Sequence, residues 1–276
     1  MFRKTILTFI FCCFMTTLNA QIEFMTYNIR YQNENDGENS WSKRKSHLAN
    51  QLKYHQPDIF GVQEALVNQL NYIGQALPGY EYLGVGRDGG EKGEFCAIFY
   101  DSEQFEVLQE DTFWLSETPN EISKAWDAAY KRICTYAKFK EKESGKIFWV
   151  FNTHFDHVGE QARINSAKLI WEKVSALNTQ DLPVFVMGDL NLEPNVAPIK
   201  FLAEKMQDSK KIAQLKFGPE GTFNGYKFDE PVTRRIDYIF VNNKVEVLKY
   251  AVLSDSKDLK YPSDHLPVII SAEFLD

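Results

Sequence analysis

Apolar residues recur with two different periods along the chain, and these periods predict its helices and strands. Three segments carry apolar residues at helical spacing, and a proline ends each of the first two. The three predicted helices contain Leu48 and Leu52 before Pro57; Leu66, Leu70, Ile73 and Leu77 before Pro78; and Ala167, Ile170, Trp171, Val174 and Leu177.

Short apolar runs of strand length lie between these helices. From Tyr80 to Phe155, β-branched and aromatic residues broken by turn residues favour consecutive strands over crossover helices. Strands mixed with helices predict two sheets that pack face to face with helices outside. Further strands are expected at Ile22 to Tyr27, Ile59 to Val62, Val184 to Met187, Ile236 to Asn242 and Leu266 to Phe274.

Polar residues with useful chemistry stand at the ends of these apolar runs. Rigid strands fix such side chains, while the flanking loops admit a substrate, so the pattern is typical of an active site at the rim of a sheet. We therefore predict a hydrolase. The residues concerned are Asn28, Glu64, His154, Asp189, Asn191, Asp237, Asp264 and His265.

The first twenty residues differ from the rest of the chain. Arg3 and Lys4 form a basic start, residues 6–15 are almost wholly apolar, and a plausible cleavage site lies between Ala20 and Gln21. The apolar run is shorter than the roughly 20 residues that span a bilayer, so we expect a signal peptide rather than an anchor. The predicted mature protein, residues 21–276, is secreted or periplasmic.

Composition indicates one globular domain from 21 to 276. The chain has 276 residues, 44% of them hydrophobic, and no low-complexity linker interrupts it. Loss of Arg3 and Lys4 would leave 29 Lys and Arg against 38 Asp and Glu, because the whole chain carries 31 and 38. An acidic surface makes a large nucleic-acid duplex a less favoured substrate, although a local basic cleft stays possible.

Two cysteines remain in the predicted mature chain. Cys96 and Cys134 both lie in strand-like segments. The expected compartment permits disulfides, but strand cysteines are usually core residues, so we expect two buried thiols and leave their pairing open.

The strand-end residues predict a metal-dependent reaction at phosphorus. Carboxylate, amide and imidazole donors dominated by oxygen suit Mg²⁺ or Mn²⁺ better than zinc. Such a cation polarises a phosphoryl oxygen, and a nearby carboxylate can activate water. An imidazole paired with an aspartate is held in its cationic form, in which it donates to a phosphate oxygen.

The order and wording of these motifs resemble the endonuclease/exonuclease/phosphatase superfamily, which has the deoxyribonuclease-I-like fold. The resemblance implies an α/β (α+β) four-layer sandwich with two mixed β-sheets. Two further runs, residues 113–119 and 221–225, resemble a secreted bacterial branch of unsettled substrate. The six motifs are Met25-Thr26-Tyr27-Asn28-Ile29-Arg30, Val62-Gln63-Glu64, Asn152-Thr153-His154, Gly188-Asp189-Leu190-Asn191, Arg235-Ile236-Asp237-Tyr238-Ile239-Phe240 and Ser263-Asp264-His265.

The resemblance also implies roles for the metal-side residues. Glu64 is similar to the family's principal metal ligand, with Asn28 beside it on the metal or on the carboxylate. Asp264 resembles an additional carboxylate near the metal or a second partner of the ring of His265.

The remaining roles concern water and phosphate. Asp189 resembles the residue that activates water, and Asn191 the amide that holds it. His154 resembles a phosphate-contacting histidine, and Asp237 the partner of His265. The resemblance leaves open whether Asp189 or His265 is the general base, and we predict Asp189 as the base and His265 as a phosphate-binding acid.

Candidate substrate residues are Arg132, Trp126 and Arg30. Arg30 occupies the position at which abasic-site endonucleases carry a carboxylate, which weakens a duplex-binding function. Arg132 and Trp126 could supply a guanidinium for phosphate and an aromatic platform, with core packing as the competing interpretation. Core packing is favoured for Trp114, and His157 is expected on the surface.

Each strand-end residue also has an ordinary structural interpretation. Taken alone, Asn28 or Asn191 is more often the cap of a turn, and Glu64 could begin a helix. His47 and His55 lie on a predicted helix and are expected to be packing or solvent residues. The joint placement of these residues at strand ends nevertheless favours the catalytic interpretation over the structural one.

Three functions remain open on the sequence. The first is a metal-dependent phosphoesterase that acts on a small or single-stranded phosphodiester or on a phosphorylated metabolite. The second is an extracellular nuclease, and the third is a protein that binds a phosphate ligand without turnover. A retained cluster of costly buried charges disfavours the third, because only catalysis would justify it.

Overall fold

Two mixed β-sheets form the centre of the computed structural model, which describes residues 21–275. The predicted signal peptide, residues 1–20, lies outside the described residues, and the domain boundary at residue 20 stays a prediction. The strands are β1 (Ile22–Asn28), β2 (Ile59–Ala65), β3 (Tyr80–Leu83), β4 (Phe95–Asp101), β5 (Phe105–Trp114), β6 (Ile133–Glu141), β7 (Ile147–His154), β8 (Val184–Asp189), β9 (Gln207–Asp208), β10 (Leu215–Phe217), β11 (Asp237–Val241), β12 (Val245–Val252) and β13 (Val268–Phe274).

The strands form two sheets, and the helices lie outside them. Sheet A has the strand order β10-β12-β13-β1-β2-β4-β3, and sheet B has the order β5-β6-β7-β8-β11-β9. The helices are a 3-10 helix (Glu34–Asn39), α1 (Trp41–His55), α2 (Val67–Ala76), α3 (Glu160–Leu177), α4 (Ala197–Lys205) and the single turn α5 (Ser209–Ile212).

Three apolar clusters define four layers. The first lies between the sheets, where the rings of Phe24 and Phe185 stack with centroids 3.8 Å apart. The second packs α1 and α2 on sheet A through residues such as Leu48 and Leu70, and the third packs α3 and α4 on sheet B. The expected four-layer α/β sandwich is therefore confirmed, with the order helix, sheet A, sheet B, helix.

The three predicted helices and the strand-rich middle region are also confirmed. The hydrophobic pattern does not indicate β12, because a bulge between Val247 and Lys249 shifts its register against β13 and breaks the two-residue period. It does not indicate α4 either, because nine residues give too short a helical stripe.

A pair of buried amides joins the two sheets directly below the strand ends. Gln63 of β2 donates from Nε2 to Asn152 Oδ1 of β7 (2.6 Å), and Asn152 Nδ2 donates to the Val62 carbonyl (3.0 Å). A Cβ on Gly61 would lie 2.5 Å from Asn152 Cγ, so the approach requires glycine there. This inter-sheet amide bridge, Gln63 and Asn152, fixes β2 against β7.

Cys96 and Cys134 are buried free thiols, as the core-residue interpretation predicts. Among residues 21–275, every helix is too short or too polar to cross a membrane.

Candidate active site

The carboxyl ends of β7 and β8 meet the beginning of β11 at one edge of sheet B. His154 pairs in register with Asp189, and Asp189 pairs with Asp237. Gly188 has φ +148°, and a Cβ there would lie 2.0 Å from the Thr153 carbonyl oxygen, so only glycine lets β8 approach β7 this closely. Sheet topology alone therefore places three of the predicted site residues side by side.

Asp189 lies at the centre of the site and is 1% exposed. Its Oδ2 accepts a hydrogen bond from Asn28 Nδ2 (2.9 Å), and its Oδ1 accepts one from the Asn191 backbone N–H (2.8 Å). Burial, followed by the charge of Asp237, raises the pKa of Asp189 to about 7, although His265 opposes the rise. Both carboxylate oxygens are held in one orientation.

His265 and Asp237 form the predicted pair. His265 Nδ1 lies 2.9 Å from Asp237 Oδ2, and His265 Nε2 lies 3.8 Å from Asp189 Oδ2. Burial alone would lower the pKa of His265, but Asp237 and then Asp189 outweigh it and raise the pKa to about 10. The ring is thus a cation whose Nε2 side faces Asp189.

Thr222 holds Asp237 in place, a role that the sequence motifs do not predict. Its hydroxyl donates to Asp237 Oδ2 (2.5 Å) and accepts hydrogen bonds from the backbone N–H groups of Ile236 and Asp237, both at 3.1 Å. Thr222 therefore fixes the carboxylate that orients His265. The motif that contains Thr222 resembles a family run, but its residue type alone does not distinguish this role from an ordinary turn.

His154 is a neutral ring. Burial, followed by the positive charge of Arg132, lowers its pKa well below the ordinary value. The Asn191 amide lies 3.0 Å from His154 Nε2 and also donates to the Phe155 carbonyl (3.0 Å). Asn191 adopts φ +51°, a conformation that asparagine tolerates better than most residues, and this aims its amide at His154.

Glu64 stands in a bulge of β2 with φ +62°. The bulge turns its side chain towards the cavity instead of along the strand. Glu64 Oε1 accepts a hydrogen bond from Asn28 Nδ2 (3.0 Å), so the Asn28 amide spans Glu64 and Asp189. Asn28 Oδ1 accepts from the Arg30 backbone N–H (3.0 Å). In this arrangement Asn28 orients two carboxylates, which is the second of the two roles expected for it.

Asp264 is the second acidic residue on the Glu64 side. Burial raises its pKa, the nearby charge of His265 lowers it, and Glu64 raises it again. Arg30 Nη1 lies 3.8 Å from Glu64 Oε2, and Arg30 Nε lies 4.0 Å from Asp264 Oδ2, so one guanidinium faces both acids. Asp36 holds Arg30 in place by two hydrogen bonds of 3.1 Å each.

These carboxylates fit a hard divalent cation. Glu64 and Asp264 supply charged oxygens at the cavity, and Arg30 faces both of them at 3.8 Å and 4.0 Å without a hydrogen bond to either. A second possible acidic metal site consists of Asp189, Asp237 and His265, whose ligand atoms all lie within 4.8 Å of one another. In that set Asp237 and His265 already satisfy each other by hydrogen bonding, so Glu64 and Asp264 offer the better cation site.

Of the eight predicted strand-end residues, all except Asn28 and Asp237 line one cavity of about 690 Å³. Of the three candidate substrate residues, Arg30 and Arg132 line it, whereas half-buried Trp126 does not. Trp114 is a core residue that donates to the Arg87 carbonyl, and His157 is exposed as expected and also lines the cavity. Phe223 and Ile236 lie in the motif runs without a predicted role, and the remaining lining outside the motifs comprises Tyr31, Arg87, Glu94, Tyr130 and Arg234.

Comparison with known proteins agrees with the fold and the motifs. The model of the Endonuclease/Exonuclease/phosphatase family matches residues 25–265. The crystal structure of an endonuclease/exonuclease/phosphatase family protein from Bacteroides thetaiotaomicron is 37% identical, with a TM-score of 0.89, over 93% of this chain and 98% of that one. A mannosyl-6-phosphatase from Bacteroides thetaiotaomicron is 38% identical, with a TM-score of 0.88, over 92% of this chain and 100% of that one.

The curated relatives are more distant and longer. Protein angel of Drosophila melanogaster is 27% identical over 219 residues, which are 72% of this chain and 58% of that protein. The chain thus spans a little over half the length of that relative.

Proposed function

The chain belongs to the endonuclease/exonuclease/phosphatase family, whose members hydrolyse phosphoester bonds, and we propose that it is a secreted, divalent-metal-dependent phosphoesterase. The observation that carries this proposal is the placement of Asp189. Its buried carboxylate is held by Asn28 and Asn191 and lies 3.4 Å from His154 Nε2, at a cavity that Glu64 also lines.

The residues divide the hydrolysis between them. Asp189 accepts a proton from water as the water oxygen forms a bond to phosphorus, and Asn191 orients that water. Cationic His265, held by Asp237, donates to a non-bridging phosphoryl oxygen and stabilises its growing charge. The bond from phosphorus to the ester oxygen breaks, the departing alkoxide takes a proton from solvent, and Asp189 later returns its own proton to solvent.

Glu64 and Asp264 would hold the cation, for which we propose Mg²⁺ or Mn²⁺, with Asn28 as the residue that orients Glu64. When bound there, the cation supplies positive charge to the phosphoryl oxygens.

The cavity favours a small substrate. Its volume of about 690 Å³ falls within the range of roughly 300–1,000 Å³ for small-molecule sites. Four arginines line it, namely Arg30, Arg87, Arg132 and Arg234, and each can bind an anionic phosphate. The likeness to a mannosyl-6-phosphatase over the whole of that chain supports a phosphorylated sugar as the substrate.

The alternative substrate is nucleic acid, because the family also includes nucleases. The net charge of −7 disfavours broad contact with a polyanion. Secretion or export to the periplasm is proposed on the basic and apolar start of the chain before Gln21.

A substrate screen tests the proposal. Purified protein with Mg²⁺ or Mn²⁺ is given hexose 6-phosphates, nitrophenyl phosphate, bis-nitrophenyl phosphate, single-stranded and duplex DNA, RNA, and phospholipid headgroup esters. We expect hydrolysis of the small phosphate esters that EDTA abolishes and Asp189→Ala reduces at least a thousandfold. Asp229→Ala, at an exposed carboxylate, is the matched control. Activity that survives complete chelation, or an unchanged Asp189→Ala variant, would refute the proposed function.

A further inference from the structure

One side of the cavity takes no part in activating water in the proposed hydrolysis, although its two arginines can bind phosphate. It consists of Arg87, Glu94, Tyr130, Arg132 and His157, which are called the Tyr130 wall below. Arg87 and Glu94 come from the loop between β3 and β4, Tyr130 and Arg132 from the segment before β6, and His157 from the segment after β7. Apart from Arg132, none of them was a predicted substrate residue.

Arg132 joins the Tyr130 wall to the catalytic residues. It is 7% exposed, and it lines a small recess together with His154. Its Nη2 lies 3.3 Å from His157 Nδ1, whereas its Nε forms no hydrogen bond, although Asp156 Oδ1 is 3.5 Å away. The guanidinium is therefore fixed between His157 and Asp156 at the edge of the cavity.

Tyr130 is held between charged and aromatic neighbours. The Arg87 guanidinium lies 4.9 Å from the centre of its ring, and the His157 ring lies nearly parallel to it at 5.9 Å. Arg87 in turn donates from Nη1 to Glu94 Oε2 (2.8 Å), which leaves Glu94 Oε1 available. Tyr130 nevertheless stays 51% exposed.

Asp156 fixes the two loops that carry this wall. Its Oδ1 accepts hydrogen bonds from the backbone N–H groups of Ala129 and Tyr130, and its Oδ2 accepts them from Val158 and Gly159, at 2.8 to 3.3 Å. One buried carboxylate thus joins the segment that holds Tyr130 to the segment that holds His157. A preorganised wall of this kind is typical of a recognition surface.

The chemistry of the Tyr130 wall suits a ring that carries many hydroxyl groups. Sugar hydroxyls both donate and accept, and the wall offers a carboxylate acceptor in Glu94 beside guanidinium donors in Arg87 and Arg132. An acyl chain would need an apolar lining, and a base would need an open aromatic platform. Among the described lining residues, only Phe223 and Ile236 have purely hydrocarbon side chains.

We propose that the Tyr130 wall is the subsite for the alcohol part of the ester and that it selects a polyhydroxylated ring through Glu94 and Tyr130. This proposal rests on the proposed phosphoesterase function and assigns its substrate selectivity to named residues. Asp156 acts as a positioning residue for the wall.

Two substrates of similar size test it. Mannose 6-phosphate and cyclohexylmethyl phosphate share a six-membered ring and a phosphate on an exocyclic carbon, but only the first has ring hydroxyls. We expect wild-type protein to prefer the sugar at least tenfold in kcat/KM. Glu94→Gln replaces an accepting carboxylate oxygen by a donating NH₂, and Tyr130→Phe removes a hydroxyl, so each should reduce that preference at least fivefold. Glu91→Gln, an exposed change in the same loop, is the control and should keep the wild-type preference.

The outcomes separate the two proposals. The subsite is overturned if Glu94→Gln and Tyr130→Phe lose kcat/KM in equal proportion for both substrates while their melting temperatures are unchanged. Such a loss would not depend on the ring hydroxyls. A wild-type protein that hydrolyses both substrates equally well also overturns it. The subsite is also overturned if neither of these two substrates is hydrolysed while another phosphate ester is hydrolysed and EDTA stops that reaction. In that case the phosphoesterase function stands. If no phosphate ester is hydrolysed, that function fails and the subsite fails with it.

Discussion

Replacement of Asp156 by asparagine should destabilise the protein and impair the Tyr130 wall. Asp156 is 1% exposed, and its two oxygens accept hydrogen bonds from four backbone N–H groups. Asparagine has the same shape but only one accepting oxygen, so two of the four N–H groups would face an amide NH₂ and lose their partner. An unsatisfied buried donor costs roughly 1–3 kcal/mol.

The pKa of Asp156 gives an independent magnitude. Burial alone would raise it, but the backbone N–H groups of Gly159, Ala129, Val158 and Tyr130 outweigh burial and lower the pKa from 3.8 to about 2. A difference of nearly two pKa units corresponds to about 2.5 kcal/mol of stability at neutral pH. The cost expected from the lost hydrogen bonds is of the same order.

The sign of the pH dependence follows from the lowered pKa. The ionised carboxylate stabilises the folded state above the unfolded pKa near 3.8, and this contribution is lost as the pH falls towards 2. Urea unfolding of wild type and Asp156→Asn should therefore differ by about 2.5 kcal/mol at pH 7 and pH 5, and by about 2 kcal/mol at pH 3.5.

Asp229→Asn is the matched control. Asp229 is exposed, so this change should alter the free energy of unfolding by less than about 0.5 kcal/mol. A difference between wild type and Asp156→Asn below about 0.5 kcal/mol at pH 7, or one that grows as the pH falls, would show that Asp156 does not bind these loops as an ionised acceptor.

Three further changes test other parts of the site. Thr222→Val removes the hydroxyl that holds Asp237, so kcat should fall about tenfold while KM changes little, and Thr222→Ser should restore most of kcat. Mg²⁺ at a hundredfold excess over its Kd should stabilise wild type by about 2.7 kcal/mol, seen as a higher Tm, whereas Glu64→Gln should show little shift, and an equal shift in both would exclude Glu64 as a ligand. Cys96 and Cys134 are buried thiols and should react with a disulfide reagent only after denaturation, so rapid labelling of native protein would contradict their placement.

The sequence predicts the catalytic residues of the cavity far better than the residues of the Tyr130 wall. Glu64, Asp189 and His265 each follow or precede an apolar run, and strand geometry brings such positions to one edge of a sheet. Tyr130 and Glu94 lie in or beside loops, where no period relates sequence position to direction, and their contacts depend on long-range packing.

Two site residues show a further limit. The bulge that turns Glu64 and the left-handed backbone of Asn191 do not follow from residue type, because glutamate is rare in that backbone region and asparagine tolerates it without requiring it. The motif wording identified both residues, but their orientation is a property of the folded sheets.

The inter-sheet amide bridge fixes the alignment of sheet A against sheet B. Glu64 follows Gln63 on one sheet, and His154 lies two residues after Asn152 on the other, so the bridge sets how far apart these two catalytic elements stand. If one sheet shifted relative to the other, the two buried amides would lose their hydrogen bonds without gaining water as a partner. An apolar pair of equal volume would allow the same shift at little cost in free energy. New substrate loops can therefore be grafted onto this scaffold without loss of the alignment of the two sheets, provided that Gln63, Asn152 and Gly61 are kept together with the catalytic residues at the strand ends.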